Sequence, residues 1–111
     1  MEDPYIPEKA AIMKIRRETV DTKTYTVRLL DERKSAEFSV EPGQFIMVSL
    51  FGIGEAPFSL SSSPNSDGAF NTTVRAVGNI TSALDKFEEE AIIGVRGPYG
   101  HGWPIESARG K

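Results

Sequence analysis

The 111-residue sequence contains no cysteine and only one histidine. The absence of cysteine excludes a disulfide, a thiolate nucleophile, a zinc ribbon and a cysteine-bound iron–sulfur cluster within these residues. The single histidine, His101, lies in a glycine-rich segment with no second metal ligand and no serine-nucleophile pattern beside it. A solvated surface position is therefore favoured over a catalytic one, and neither a hydrolytic triad nor a metal site is expected.

Long apolar runs and an excess of basic charge are also missing. No segment approaches the roughly 18 apolar residues of a membrane span, and the residues after Met1 do not form the apolar region typical of a signal peptide. The formal net charge is -3, from 13 basic and 16 acidic residues, so binding to nucleic acid is not expected. Hydrophobic residues make up 39% and charged residues 26% of the chain. These fractions are typical of a single globular domain.

The residues that are present favour β-structure. Isoleucine and valine outnumber leucine by more than three to one, and glycine and proline recur at short intervals. The apolar pattern predicts strands at residues 10–20, 23–30, 44–51, 56–62, 70–78 and 92–96. We expect the first strand at a sheet edge and the third covered on both faces. Charged residues 31–36 are expected to form a hairpin tip. An i, i+3, i+4, i+7 apolar spacing predicts one short helix at about 80–87.

The start of the predicted helix is one candidate binding site. The chain passes through Gly78 into a first turn with Asn79, Thr81 and Ser82, where free backbone N–H groups suit a phosphate. Arg75 would strengthen such a site if it points the same way. Alternatively, Gly78 only makes the turn, Thr81 only caps the helix, and Arg75 is a solvated strand residue.

The strand at 56–62 is the second candidate. Pro57 cannot donate a ladder hydrogen bond, so this strand is expected to be irregular or at an edge. Phe58 offers a ring face and Ser59 a hydroxyl to a planar ligand. The alternative, that Phe58 belongs to the core, is equally compatible with the pattern.

Four motifs occur in one order: Pro42-Gly43-Gln44-Phe45, Ala56-Pro57-Phe58-Ser59-Leu60, Val74-Arg75-Ala76-Val77-Gly78 with Thr81 and Leu84, and Gly97-Pro98-Tyr99-Gly100. In this order and spacing the sequence resembles the N-terminal flavin-binding domain of the ferredoxin–NADP reductase superfamily. It is most similar to the branch with hydrogenase and sulfhydrogenase gamma subunits, the corresponding subunit of anaerobic sulfite reductase and the dihydroorotate dehydrogenase electron-transfer subunit. The resemblance implies an all-β, six-stranded antiparallel Greek-key barrel.

The same resemblance implies a bound FAD, with FMN less favoured. It implies cofactor contacts from Pro57, Phe58 and Ser59 at the isoalloxazine, from Thr73, Val74 and Arg75 along the ribityl and adenosine side, and from Ile80 and Thr81 at the pyrophosphate. The sequence departs from the family at Ala56, where an arginine usually meets the pyrophosphate, and Glu55 precedes it. One cation of that site is therefore missing.

The implied function is that of a flavin-binding domain in a cytoplasmic, NAD(P)H-linked electron-transfer oxidoreductase. Residues 1–8 are expected to form an extended lead-in, 9–105 the barrel, and 106–111 a tail toward an NAD(P)-binding domain of the same parent chain. That domain and the cysteine cluster for [2Fe–2S] found in this branch are not among these residues, so this chain alone is expected to be inactive. The implied partners are iron–sulfur, hydrogenase or reductase subunits.

Two other functions are compatible with a barrel of this kind. One is a structural or subunit-interaction module without flavin, whose groove was lost together with the arginine at position 56. The other is an oligonucleotide-binding barrel, which the acidic balance of the chain argues against.

Overall fold

The computed structural model describes residues 7–41, 43–62, 64–65 and 67–100. Its elements are β1 (Glu8–Arg17), β2 (Thr22–Leu29), α1 (Glu32–Glu37), β3 (Phe45–Leu50), β4 (Gly54–Ser59), β5 (Phe70–Arg75), α2 (Asn79–Leu84) and β6 (Ile92–Tyr99). The six predicted strands are confirmed, with ends that shift by up to three residues. The predictions for His101, for the tail at 106–111 and for most of the lead-in lie outside the described residues.

The six strands form one sheet in the order β4-β3-β6-β1-β2-β5, and every neighbouring pair is antiparallel. The connections from β2 to β3 and from β5 to β6 cross between the two halves of the sheet, as the predicted Greek-key arrangement requires. The two end strands, β4 and β5, approach each other without forming a ladder. The sheet is therefore barrel-like but not closed, and Pro57 lies in an end strand as predicted.

The inner faces of all six strands and of α2 form one hydrophobic core. Its buried members are Ala10, Ile12, Tyr25, Val27, Leu29, Ile46, Val48, Leu50, Phe58, Phe70, Val74, Leu84, Ile93 and Val95. Strand alternation accounts for this set, since every second side chain of a strand points to the same face. The core thus fixes which side chains of β4 and β5 point outward.

Two expectations about strand positions are wrong. β1 lies between β6 and β2 rather than at an edge, because both of its hydrogen-bonding edges are used. β3 has one buried face, while Phe45 and Met47 on the other face are half-buried and Phe51, just after the strand, is 55% exposed. The outer face of this segment is therefore only partly covered, in part by the Tyr99 ring, whose centroid lies 6.0 Å from that of Phe45.

The predicted hairpin tip at 31–36 is also wrong, because this segment forms helix α1. Asp31 caps the helix by accepting a hydrogen bond from the Lys34 backbone N–H at 3.1 Å. A hairpin cannot join β2 to β3, since β6 and β1 lie between them. Ser35 is fully buried and its hydroxyl donates to the Asp67 carbonyl oxygen. The described part of the domain therefore has two short helices rather than one.

Helix α2 is the helix predicted from the apolar spacing. It covers Asn79–Leu84, and the expected continuation to Phe87 is a turn in which the Phe87 N–H donates to the Leu84 carbonyl at 2.9 Å. Phe87 nevertheless packs against the core. Neither described helix is long and apolar enough to cross a membrane.

Candidate functional site

The candidate site is the seam between the two end strands of the sheet. Within the described residues, hydrogen bonds join these two strands at one end only. There the Ser61 N–H donates to the Asn71 carbonyl at 2.8 Å, and the Thr72 hydroxyl donates to the Ser59 carbonyl at 2.7 Å. The remaining lengths of β4 and β5 share no ladder among the described residues. An open seam with unpaired strand edges is a surface on which an extended ligand can lie.

Helix α2 lies at the other end of the same seam. A Cβ atom built on Gly54, the first residue of β4, would come within 2.6 Å of the Ile80 Cδ1 atom. Glycine at position 54 therefore lets the start of α2 approach the start of β4. Of the two stretches singled out from the sequence, Ser59 ends β4 and Ile80 lies beside Gly54 at the start of the same strand.

In β4, Pro57 and Ser59 point outward and are exposed. Phe58 points the opposite way, is 6% exposed, and belongs to the core. Its ring therefore presents no face to a ligand in this conformation, and the predicted contact at Phe58 is left to its backbone. The predicted isoalloxazine segment thus offers two outward side chains, of which only Ser59 can form a hydrogen bond.

In β5, Thr73 and Arg75 point outward, whereas Val74 is buried. Arg75 is held by Asp21, whose Oδ2 atom accepts a hydrogen bond from Arg75 Nε at 2.9 Å. The Arg75 side chain is still 70% exposed, which leaves the fork of terminal nitrogens available to an anion. Arg75 is the only cation in the sequences of β4, β5 and α2.

The Arg75–Asp21 pair also affects the acidity of the carboxyl group. The Arg75 guanidinium, followed by the Thr19 hydroxyl, holds the pKa of Asp21 below its ordinary value. Asp21 is thus ionised at neutral pH and keeps the arginine at the end of β5. The two residues are 54 positions apart, so no local pattern in the sequence indicates that they pair.

At the start of α2, the Thr81 hydroxyl is already used within the protein. It accepts hydrogen bonds from the Gly78 N–H at 2.8 Å and the Val77 N–H at 3.1 Å, and it lies 3.3 Å from the Gly78 carbonyl. Thr81 thereby shapes the turn that leads into the helix, as the capping alternative predicted. Any contact of Thr81 with a ligand in this conformation is left to its backbone.

The other end of α2 is anchored by β2. Lys23 Nζ donates to the Asp85 carbonyl at 2.6 Å and lies 3.4 Å from the Asp85 carboxylate, and its side chain is only 12% exposed. The Tyr25 hydroxyl lies 3.4 Å from the Leu84 carbonyl. Burial, together with the nearby Asp85 charge, raises the pKa of Tyr25 to about 12. The positive charge of Lys23 is favourable at the negative end of the helix dipole.

A bidentate ion pair lies next to Ala56 and was not predicted. Arg96 of β6 donates through Nε and one terminal nitrogen to both Glu55 oxygens, each at 2.6 Å. Ser49 donates to Glu55 at 2.9 Å, and Arg96 donates to the Tyr99 hydroxyl at 2.8 Å. Arg96 lowers the pKa of Glu55, and Glu55 raises that of Arg96. The pair neutralises the carboxylate beside the seam.

The donor groups of the candidate site suit an organic ligand rather than a metal ion. No group of three or more histidine, cysteine, aspartate or glutamate side chains that could hold a metal ion occurs in the part of the chain that the structure describes. The polar groups of the seam are hydroxyls, one guanidinium and backbone amides. This donor set suits sugar hydroxyls and phosphate oxygens.

Comparisons with known proteins identify a family and several proteins that this chain resembles. Residues 9–103 match the family described as oxidoreductase FAD-binding domain. The sulfhydrogenase 2 subunit gamma of Pyrococcus furiosus is 37% identical over 108 residues, which are 97% of this chain and 37% of that protein. The probable dihydroorotate dehydrogenase B (NAD(+)), electron transfer subunit, of Methanocella arvoryzae is 38% identical over 99 residues, 89% of this chain and 34% of that protein.

Solved structures share the fold. An NADH-dependent reduced ferredoxin-NADP oxidoreductase superimposes with a TM-score of 0.72 and 27% identity, over 96% of this chain and 38% of its own. The cytochrome b5 reductase domain of Ulva prolifera nitrate reductase gives a TM-score of 0.73 at 15% identity, over 89% of this chain and 42% of its own. These matches confirm the resemblance inferred from the four motifs. The chain spans little more than a third of the curated relatives it matches.

Proposed function

The chain belongs to the oxidoreductase FAD-binding domain family, and we propose that it is the flavin-binding domain of a cytoplasmic, NAD(P)H-linked electron-transfer oxidoreductase of the hydrogenase gamma type. The observation that carries this proposal is the open seam between β4 and β5. The outward side chains Ser59, Thr73 and Arg75 and the start of α2 all border that seam.

The residues of the seam fit a flavin nucleotide. Along β5, Thr72 is tied to Ser59, and Arg75 follows three residues later, roughly 10 Å further along the strand. That separation is of the order of the distance from an isoalloxazine ring to the phosphate at the end of its ribityl chain. We propose that Ser59 lies at the isoalloxazine ring, that the β5 residues lie along the ribityl chain of the flavin, and that Arg75 binds its phosphate.

Arg75 takes the role of the cation that is missing at position 56. Its terminal nitrogens are exposed while Nε is held by Asp21, an arrangement that suits bidentate recognition of a phosphate. The pairing of Glu55 with Arg96 supports this proposal, because it removes the repulsion that a free carboxylate beside Ala56 would exert on a diphosphate.

A bound flavin would supply the redox chemistry, by exchanging electrons with a nicotinamide and with one-electron carriers. The residues of this chain would bind and orient it. We propose that the nicotinamide nucleotide and a [2Fe–2S] cluster bind outside these 111 residues, on the parent chain or on iron–sulfur, hydrogenase or reductase subunits. The absence of cysteine here supports a cluster site outside these residues, and the NAD(+) in the name of the Methanocella arvoryzae relative supports a nicotinamide partner.

The test is a titration of the chain with riboflavin, FMN and FAD, followed by flavin fluorescence and absorption. We expect binding of all three, with Arg75→Ala weakening FMN and FAD by about 10-fold or more and leaving riboflavin unchanged. Ser59→Ala should weaken all three by about 3- to 10-fold. The exposed residues Arg33 and Ser39 provide matched controls as Arg33→Ala and Ser39→Ala, which should bind like the parent chain.

A chain that binds none of these flavins at high concentration, yet still associates with partner subunits, contradicts the proposal. That result favours the structural or subunit-interaction module instead. Equal binding by the parent chain, Ser59→Ala and Arg75→Ala contradicts the assignment of the seam as the site.

A further inference from the structure

The outward face of β2 and β5 carries a chain of hydrogen bonds that ends at a charged group. Thr24 Oγ1 lies 2.7 Å from Glu18 Oε2 and 2.9 Å from Thr73 Oγ1. Arg16 Nε donates to the same Glu18 oxygen at 2.8 Å. The four side chains connect the turn after β1, through β2, to the end strand β5.

The charged end determines the direction of every hydrogen bond in this chain. An ionised carboxylate can only accept, and a threonine hydroxyl has a single proton, so Thr24 donates its proton to Glu18. The bond between the two hydroxyls then requires Thr73 to be the donor. The Thr24 hydroxyl, followed by Arg16, lowers the pKa of Glu18, which keeps this carboxylate ionised at neutral pH.

Thr73 is left with acceptor capacity only. Its proton is directed at Thr24, and its side chain makes no other hydrogen bond to the residues that the structure describes. Thr73 is exposed, and its bond runs sideways to Thr24, the residue directly opposite it on β2. The Thr73 oxygen therefore keeps unused acceptor capacity at an exposed position.

A phosphate oxygen is also an acceptor, so it cannot form a hydrogen bond with the Thr73 hydroxyl in this arrangement. A sugar-type hydroxyl, by contrast, can donate to it. Thr73 lies one residue after Thr72, which is tied to Ser59, and two residues before Arg75. It therefore sits between the proposed ring position and the proposed phosphate position.

Resting on the flavin site proposed above, we infer that Thr73 is a specificity-determining residue that accepts a hydrogen bond from a sugar hydroxyl of the flavin. Thr24 and Glu18 are positioning residues, because their hydrogen bonds direct the Thr73 proton to Thr24 and leave the Thr73 oxygen as an acceptor. The hydroxyl comes either from the ribityl chain or from the ribose of the adenosine half, and these two sources have the same hydrogen-bonding chemistry.

The experiment compares the parent chain with Thr73→Val and Thr73→Ser in titrations with lumiflavin, riboflavin, FMN and FAD. Lumiflavin has a methyl group in place of the ribityl chain. If the ribityl chain donates, Thr73→Val weakens riboflavin, FMN and FAD by the same factor, about 3- to 10-fold, and leaves lumiflavin unchanged. If the ribose donates, only FAD is weakened. Thr73→Ser keeps a hydroxyl and should stay within about 2-fold of the parent.

The positioning role is tested with Glu18→Gln. The new amide can donate to Thr24, which frees the Thr24 proton for Thr73 and reverses the chain of hydrogen bonds. We expect a loss of about 2- to 5-fold with the same pattern among the flavins as Thr73→Val, and no added loss in the double variant. A purely structural effect would weaken lumiflavin as well.

Thr26→Val is the matched control. Thr26 is the next outward threonine of β2, and its hydroxyl donates to Asn71 Oδ1 at 2.7 Å rather than to Thr73. This variant should change no flavin selectively. If Thr73→Val binds all four flavins like the parent chain, or weakens lumiflavin as much as riboflavin, the inference is wrong while the proposed function stands. A parent chain that binds no flavin overturns both.

Discussion

Single residues of this domain act through partners that are distant in sequence. Glu55 shows this most clearly, because both of its carboxylate oxygens are bound by Arg96 and one also accepts from Ser49. Each partner stabilises the ionised form, which explains why the pKa of Glu55 lies below its ordinary value. The consequence is a defined dependence of folding stability on pH.

We predict that Glu55→Gln lowers the free energy of unfolding at pH 7 and that this loss disappears in acid. A lowered folded-state pKa contributes stability above the unfolded-state value, about 4.3 for glutamate, and loses it as pH falls through the folded-state pKa. Urea unfolding at pH 7 and at successive values below about 4.3 measures the difference between the two proteins.

Glu37→Gln, at an exposed position of α1, makes the same charge change and serves as the control. A difference between Glu55→Gln and the parent chain that stays constant from neutral pH into acid would contradict the prediction. Some dependence on pH remains in Glu55→Gln, because the pKa values of Glu18 and Asp21 are also lowered.

At the scale of the element, α2 is a six-residue helix fixed at both ends by contacts outside itself. Isolated helices of this length are not stable in water, so α2 depends on these contacts. Thr81 organises the turn before it, Ile80 packs against Gly54, and Lys23 binds the carbonyl just after it. The orientation of its first turn toward the seam therefore depends on β2 as well as on β4.

We predict that Lys23→Met loosens the C-terminal end of α2. The variant keeps much of the apolar stem but removes the 2.6 Å hydrogen bond to the Asp85 carbonyl and the positive charge at the helix end. Backbone amides of residues 83–87 should exchange with deuterium several-fold faster, while amides of β3 and β6 stay unchanged. Lys86→Met, just after the helix, is the control. Equal exchange in Lys23→Met and the parent chain would contradict the prediction.

The elements differ in how far their sequence predicts them. The pattern predicts β2 and β5, because alternation of apolar and polar residues is typical of a half-buried strand. It does not predict helix α1, whose six residues are mostly charged. What selects this helix is the Asp31 cap together with the burial of Ser35 against Asp67. That burial is a tertiary contact with no local signal.

The candidate site likewise contains elements that the local sequence predicts and contacts that it does not. Local spacing predicts α2, β4 and β5, and the capping alternative for Thr81 agrees with its hydrogen bonds. The ion pairs Arg75–Asp21 and Arg96–Glu55 join residues 54 and 41 positions apart. Only the register of the sheet brings such residues within reach, so a single sequence could not predict them.

At the scale of the whole molecule, a ligand lying in the seam would bridge the two ends of the sheet. The strand order places β4 at one end and β5 at the other, with all the other strands between them. Such a ligand would therefore stabilise the folded state of the entire domain rather than one local segment, since unfolding of either end strand would release it.

We predict that FAD raises the melting temperature of the chain in a concentration-dependent way. Free FAD at about 100 times its dissociation constant should add about 2.7 kcal/mol to the free energy of unfolding, or roughly 10 °C for a domain of this size. Arg75→Ala should need a higher FAD concentration for the same shift, in proportion to its weaker binding, whereas Arg33→Ala should follow the parent chain. Calorimetry over a range of FAD concentrations gives this dependence. A melting temperature that does not move, or that moves equally for Arg75→Ala, would show that the seam is not where the nucleotide binds.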